Sequence, residues 1–224
     1  MHGNLNILLI GPSGAGKGTQ AKLLSEKYGL RHLQSGEILR GMAAQDTDFG
    51  RQVKAAMQEG FVPSEWIFRM IEEEFSKLGG QGVVIDGFSR KLSEIRMLCD
   101  VFEKKGKRLD FVFLLDIGDE EVIDRLLKRR LCRSCKEVFD ARDLKSEKCP
   151  LCGGEIYTRE DDNPEAIRKR LDDYKKETSP VIGFLRERGK VIEIDGDQPI
   201  GEVFDEICRR IEEAPEPRGG IRLR

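Results

Sequence analysis

Short apolar runs alternate with longer stretches of helical spacing along most of the chain, and no internal repeat interrupts them. Leu5–Ile10, Arg31–Gln34, Val83–Asp86, Asp110–Leu115 and Lys190–Ile194 are β-rich runs of strand length. Between them, apolar residues recur at intervals of three and four, as in Ile67, Met70, Ile71 and Phe75, and again in Val122, Ile123, Leu126 and Leu127. Such stripes predict helices that lay one face on a core. Strands alternating with helices predict βαβ units, and so an α/β fold in three layers around a five-stranded parallel sheet. Two regions break the alternation. Residues 35–62 read as a short helical excursion, and residues 128–162 are polar, cysteine-containing and poor in large apolar side chains. Both are expected to stand off the sheet as insertions. The end of the chain, residues 214–224 with Pro215, Pro217, Gly219 and Gly220, has no packing pattern and is expected to fray.

The first strand runs into Gly11-Pro12-Ser13-Gly14-Ala15-Gly16-Lys17-Gly18-Thr19, and helical spacing follows over about Thr19–Glu26. Glycines in such a loop let backbone N–H groups turn inward, and the helix N-terminus adds positive potential for phosphate. Lys17 can reach the β- and γ-phosphates of a nucleoside triphosphate. Thr19 is placed to support Mg²⁺ or a phosphate oxygen. A strict Walker A pattern has Ser or Thr directly after the lysine, whereas here Gly18 intervenes. The strand before the loop and the helix after it set the run apart from an ordinary glycine-rich turn.

Met1–Asn6 has no basic leader, and Leu5–Ile10 is too short to span a bilayer, so a cytoplasmic protein with reduced thiols is expected. Six cysteines then suggest metal ligation before disulfides. Cys132-x₂-Cys135 and Cys149-x₂-Cys152, with thirteen residues between the pairs, form two knuckles that can bring four thiolates to one ion. Zinc is the expected ion and iron the alternative. A closed four-ligand site is structural, and it explains how a segment so poor in apolar residues can hold a shape. Gly153 and Gly154 suit a tight turn after the second knuckle. Cys99 and Cys208 stand alone in helical segments and read as buried small hydrophobes.

With 224 residues and 38% hydrophobic content, the chain can bury one good-sized core. Its charged fraction is 36%, yet the signs are interspersed and the formal net charge is −2. Bulk electrostatics therefore point to neither nucleic acid nor membrane as a partner. Small anions met by local cations are expected instead. Arginine suits the task because its planar fork stays charged and binds phosphate oxygens in pairs. No Ser/His/Asp set is evident. His2 is terminal and His32, on a strand, reads as a packed or capped histidine, so direct transfer without a covalent intermediate is expected.

The loop ending in Gly16-Lys17-Gly18-Thr19-Gln20-Ala21 resembles that of the nucleoside monophosphate kinases, adenylate kinases above all. Ser35-Gly36-Glu37-Ile38-Leu39-Arg40 is similar to the family's TGD-x-LR segment, and Asp86-Gly87-Phe88-Ser89-Arg90 to its DGFPR. Thr158-Arg159-Glu160-Asp161-Asp162 and Arg168-Lys169-Arg170-Leu171 resemble its TR-x-DD and RKRL. The likeness runs to about Ile211. It implies a core of residues 1–34, 63–127 and 163–213, a monophosphate-binding insertion at 35–62 and a zinc-containing lid at 128–162. It implies ATP held by Gly14, Ala15, Gly16, Lys17, Gly18 and Thr19, with Arg125, Arg129, Val138, Phe139 and Gln198. It implies AMP held by Ser35, Arg40, Phe61, Val62, Pro63, Gly87, Phe88, Arg90, Glu94, Arg159 and Arg170. Lys17, Arg90, Arg129, Arg159 and Arg170 would serve the transfer, while Asp86 would organise the water shell of Mg²⁺. A monomer is expected.

The chain also departs from the family pattern. Ser13 and Ser89 replace usual prolines, and Gly60-Phe61-Val62-Pro63 is one residue short. Glu94 stands where AMP-reading members carry Gln. A carboxylate only accepts hydrogen bonds, which suits adenine's amino group but not its N1 lone pair, and matches the adjacent donors of guanine better. AMP is the expected acceptor, with GMP or a pyrimidine monophosphate as the alternative. A nucleotide-binding switch that recruits partners through its knuckles is an alternative from another class. It would want a basic, aromatic-rich surface, and residues 136–148 hold a single aromatic, Phe139, among mixed charges.

Overall fold

The computed structural model of the chain describes residues 4–59, 62–88, 91–188 and 191–214. In chain order, β1 (Asn6–Ile10) leads into α1 (Lys17–Tyr28) and then β2 (Arg31–Gln34). Three helices follow, α2 (Ser35–Ala43), α3 (Asp48–Glu59) and α4 (Ser64–Ser76). The alternation resumes with β3 (Val83–Asp86), α5 (Leu92–Lys104), β4 (Phe111–Asp116) and α6 (Asp119–Lys128). Three short strands come next, β5 (Arg129–Cys132), β6 (Val138–Asp140) and β7 (Ile156–Tyr157). The chain returns through α7 (Pro164–Asp173), α8 (Ser179–Glu187), β8 (Ile192–Asp195) and α9 (Ile200–Glu212). A π-helical turn over Tyr174–Thr178 joins α7 to α8 without a loop.

β2, β3, β1, β4 and β8 lie side by side in that order, all parallel. The central strand β1 is buried along its whole length, because both faces of the sheet are covered. Its residues divide between the faces in strict alternation. Leu8 and Ile10 join Val83, Ile85, Val112 and Leu114 against α4, α5 and α8. Ile7 and Leu9 join Val84, Phe113 and Leu115 against α1 and α9. Each such side chain stabilises the fold by about 1.5–3 kcal/mol relative to exposure. Cys99 and Cys208 sit one in each of these clusters, as small apolar residues do.

The strand order turns at β1, where the chain leaves toward β2 on one side while β4 lies on the other. In open parallel sheets the ligand crevice lies beyond the carboxyl ends of the strands at such a switch. The loop after β1 occupies that place.

Element ends differ from the sequence reading by a residue or two. α1 starts at Lys17 rather than Thr19, since Gly16 adopts a left-handed φ of 86° and caps it. Asp110 is not part of β4. Its carboxylate instead accepts the backbone N–H of Asn6 at 2.9 Å and closes the strand's edge. In α6, Val122 and Leu126 pack on Ile167 and Leu171 of α7, while Leu127 turns outward and is 39% exposed. Residues 35–62 supply α2 and α3, whose apolar faces close on Met70 of α4. β5 pairs with β6 and β7 in a small antiparallel sheet apart from the main one. α6 ends at Lys128 and β5 begins at Arg129, with no connecting loop.

Candidate functional site

The loop after β1 wraps the start of α1. Ala15 N–H donates to Pro12 O at 3.2 Å, which tightens the turn. Lys17 arches back over it, and its Nζ donates to the carbonyls of Gly11 and Pro12 at 2.9 and 2.7 Å. Leu126 of α6 packs against the loop, since a Cβ added at Gly14 would lie 3.0 Å from its Cγ. The first turn of α1 leaves its backbone N–H groups without a side-chain cap, and Thr19 sits half-buried within that turn. Uncapped donors at a helix start suit an anion.

Asp86, the last residue of β3, is 3% exposed and accepts Gln34 Nε2 at 2.7 Å. Ser35 Oγ donates to Gly87 O at 2.6 Å, tying the start of α2 to the segment after β3. Arg40, one turn on in α2, lies against Gly36. The fit to a magnesium ion follows from the donor set. Mg²⁺ keeps several waters and binds through one or two carboxylates plus substrate phosphates, and one buried carboxylate beside a phosphate loop matches that habit.

On the other side of the loop, Asp162 gathers two arginines. Arg129 donates to it through Nε and Nη2 at 2.8 and 2.6 Å, and Arg170 through Nη2 at 3.1 Å. The Asp162 side chain is 0% exposed, so these charged hydrogen bonds are shielded from water. Arg170 also bonds Asp161 at 2.9 Å. The carbonyl of Arg159 accepts Asp162 N–H at 3.1 Å, but its guanidinium makes no hydrogen bond or ion pair among the described residues. Burial, and then the nearby charges of Arg129 and Arg40, pull its guanidinium below the ordinary arginine range, with Asp161 and Asp162 offsetting only part. Guanidinium groups from α2 and β5 therefore both bear on Arg159, in the segment after β7.

Arg125 lies behind them, its Nε bonded to Glu121 at 2.6 Å and its Nη2 3.5 Å from Asp197 O. That contact brings it beside Gln198, whose Nε2 donates to Asp195 at 3.2 Å. Val138 and Phe139 lie on β6, with Val138 46% exposed. An ion pair from Lys22 of α1 to Glu137 fastens the start of that strand over α1.

The four sulfurs of Cys132, Cys135, Cys149 and Cys152 lie within 4.8 Å of one another. The closest pairs, Cys132–Cys152 and Cys135–Cys149, stand at 3.5 and 3.6 Å. Disulfide sulfurs would be about 2.0 Å apart, whereas tetrahedral thiolates at a Zn–S distance of about 2.3 Å stand about 3.8 Å apart. The cluster is thus compatible with zinc. Both knuckles fold alike. Cys132 N–H donates to Glu137 O at 3.0 Å and Cys149 N–H to Gly154 O at 2.7 Å. The fourth residue after the leading cysteine is left-handed in each, Lys136 at φ 62° and Gly153 at φ 73°. Burial works against a thiolate at Cys132, yet the N–H groups of Cys135 and Ser134 and the thiols of Cys152 and Cys135 outweigh it and bring that thiol down to about 6.

Comparison with known proteins settles what this arrangement belongs to. The sequence model of the adenylate kinase family matches residues 9–190. The chain belongs to the adenylate kinase family. The adenylate kinase of Elusimicrobium minutum is 39% identical over 209 residues, 92% of this chain and 97% of that protein. That of Archaeoglobus fulgidus is 37% identical over 208 residues, 91% and 96% of the two chains. That of Kosmotoga olearia is 37% identical over 213 residues, 93% and 99%. As a member of the adenylate kinase family the chain is a phosphotransferase, of the nucleoside monophosphate kinase kind.

In this family member Val62 and Pro63 lie half-buried before α4, and Phe88 is buried after Gly87. Phe61 and Arg90 lie outside the described residues. Glu94 is engaged by the protein itself. Its Oε1 accepts Ser64 Oγ at 2.7 Å and its Oε2 accepts Lys91 N–H at 3.3 Å, which joins the starts of α4 and α5. Sequence reasoning passed over Gln34, and it treated Asp161 and Asp162 as motif letters rather than as partners. Matching strand ends by register would have paired Gln34 with Asp86. Among the described residues no helix is long and apolar enough to cross a membrane.

Proposed function

We propose that the chain moves the γ-phosphate of ATP onto AMP, in the reversible reaction ATP + AMP = 2 ADP. The observation that carries this reading is the crowding of Arg159 with Arg129 and Arg40. Burial and the nearby charges of Arg129 and Arg40 both disfavour the charge of Arg159, and a polyanion beside it offsets that penalty while being neutralised. Two phosphate chains meeting end to end are such a polyanion.

The roles are those that the likeness to the family implies. Gly14, Ala15, Gly16, Gly18 and Thr19 cradle the donor phosphates at the start of α1, and Lys17 turns from its loop carbonyls onto them. Arg125, Val138, Phe139 and Gln198 flank the donor's base. Ser35, Arg40, Phe61, Val62, Pro63, Gly87, Phe88, Arg90 and Glu94 receive the acceptor, with residues 35–62 as its insertion. Residues 128–162 form a lid that brings Arg129 and Arg159 over the phosphates, while Arg170 reaches them from α7 in the core of residues 1–34, 63–127 and 163–213. Catalysis is alignment of the two phosphates plus neutralisation of charge on the transferring group. Asp86 would hold Mg²⁺ with Thr19 supporting it or a phosphate oxygen, and the ion would supply further neutralisation. Zinc, held by Cys132, Cys135, Cys149 and Cys152, gives the lid its shape. We read the enzyme as a cytoplasmic monomer without nucleic-acid or membrane partners.

The carboxylate of Glu94 favours a second reading, in which GMP is the acceptor. A coupled assay with ATP across AMP, GMP, CMP and UMP decides. AMP should give the highest kcat/KM, and a higher value for GMP would overturn AMP as the natural acceptor. No turnover with any of the four would overturn the kinase reading.

A further inference from the structure

β2 and β3 run parallel with His32 level with Val84 and Gln34 level with Asp86. Alternate residues of a strand face one side, so Gln34 and Asp86 emerge together at the strands' carboxyl ends. Their bond, Gln34 Nε2 to Asp86 Oδ2 at 2.7 Å, lies on the first turn of α1. A Cβ added at Gly18 would stand 3.2 Å from that Nε2 and 3.4 Å from that Oδ2. The pair therefore fills the space directly beside the residue after Lys17.

We infer that Gln34 is a positioning residue for phosphoryl transfer, fixing which oxygen of Asp86 faces the nucleotide without cancelling its charge. An unrestrained carboxylate can turn about its terminal bond and present either oxygen. A lysine or arginine at position 34 would also stop that turning, but it would neutralise the charge that draws a hydrated cation. An amide is a donor without charge, so it orients and leaves the carboxylate anionic. The bond is made to Oδ2, which leaves Oδ1 to accept from cation-bound water. Gly18 belongs to the same arrangement, because any side chain there would press on the amide nitrogen. The Gly18 that displaces the usual Walker hydroxyl by one position thus makes room for Gln34.

The inference rests on the proposed kinase reading, and its test separates the two. Gln34→Met keeps the length of the side chain and removes the donor. Gln34→Glu keeps the shape and sets an acceptor against Asp86. Binding of a non-hydrolysable ATP analogue is measured by calorimetry with and without Mg²⁺, alongside kcat, KM and melting temperature. Both variants should bind the analogue as the wild type does without Mg²⁺ and lose most of the Mg²⁺-dependent gain. Turnover at fixed Mg²⁺ should fall about tenfold for Gln34→Met, the worth of one hydrogen bond to a charged group, and further for Gln34→Glu. The KM for the acceptor should hold steady. In an Asp86→Asn background the Gln34→Met loss should vanish, because the positioned group is gone. A wild-type Mg²⁺ gain in either variant, or additive losses with Asp86→Asn, would overturn the role of Gln34. If the wild type itself binds the analogue no better with Mg²⁺, the role of Gln34 falls, while the kinase reading stands or falls on turnover in the acceptor assay. A change in melting temperature alone, with the Mg²⁺ gain intact, would make Gln34 merely structural and also overturn it.

Discussion

The ammonium of Lys17 rests on the carbonyls of Gly11 and Pro12, two acceptors that a phosphate can replace without moving the loop. Lys17→Ala should therefore leave the fold intact and remove stabilisation of the charge that builds during transfer. Turnover should drop at least about a hundredfold, as when one preorganised donor is lost, with melting temperature nearly unchanged. Near-normal turnover in the folded variant would refute the role. His32 offers a test of a different kind. Its Nε2 is buried and has no hydrogen-bond partner among the described residues. Burial lowers its pKa from the ordinary 6.5, against the opposing pull of Asp86 and Glu37. A histidine kept neutral in the folded state gains its proton first in the unfolded chain. Its contribution is thus complete above about pH 6.5 and is lost as pH falls through the depressed folded value. The urea midpoint of the wild type should fall more between pH 7 and 5 than that of His32→Asn. Parallel pH curves for the two would show that His32 is not the group responsible.

What could be read from the sequence at this scale was whatever is local. The phosphate loop and each CxxC pair are spelled out within a few consecutive residues, and hydrophobic spacing marked β2 and β3 to the residue. Pairings across the chain were not legible. Asp162 meets Arg129 from 33 residues away and Gln34 meets Asp86 from 52, and both depend on strand register and helix packing rather than on neighbours. Glu94 shows the same limit, for its contact with Ser64 exists only once α4 and α5 start side by side.

Among the elements, the small sheet of β5, β6 and β7 has the least apolar material to hold it. Of its residues, Leu131 and Cys132 are buried, while the others are half-buried or exposed. The cysteine cluster must supply the missing cohesion. Purified protein should carry about one equivalent of zinc. Cys149→Ser with Cys152→Ser should lower the melting temperature and turnover together. Wild-type protein without stoichiometric metal, or metal retained after all four cysteines are replaced, would sink this assignment. The sheet's two roots are also joined to each other. Asp162, before α7, holds Arg129 at the start of β5 and Arg170 within α7. Asp162→Ala leaves the shielded guanidinium of Arg129 without its counter-ion and that of Arg170 with Asp161 alone, and should cost about 3–5 kcal/mol of stability in denaturant unfolding. A loss below about 1 kcal/mol would mean that water solvates both arginines after all.

For the molecule as a whole, the two faces of the parallel sheet are sealed by separate apolar clusters, and the charged machinery collects at one end, beyond the strands' carboxyl termini. Arg159 stands there with its charge disfavoured by burial and by Arg129 and Arg40, a penalty that bound phosphates offset. A non-hydrolysable ATP analogue together with AMP should return more than either alone. At a hundred times the dissociation constant, binding adds about 2.7 kcal/mol, or about 5–10 °C in melting temperature for a chain of this size. Equal shifts for the analogue alone and for the pair would argue against a shared arginine cluster.

The junction between α6 and β5 ties these scales together. Helix gives way to strand at Arg129 itself, whose backbone stands at φ −62° and ψ 131°. At this root of the small sheet, any swing relative to the helix passes through that residue. The residue at that joint thus also carries a guanidinium that Asp162 holds and that is proposed above to serve the phosphates. Opening and charge placement share one degree of freedom, much as a door whose latch is mounted on its hinge pin cannot stand ajar with the latch still home.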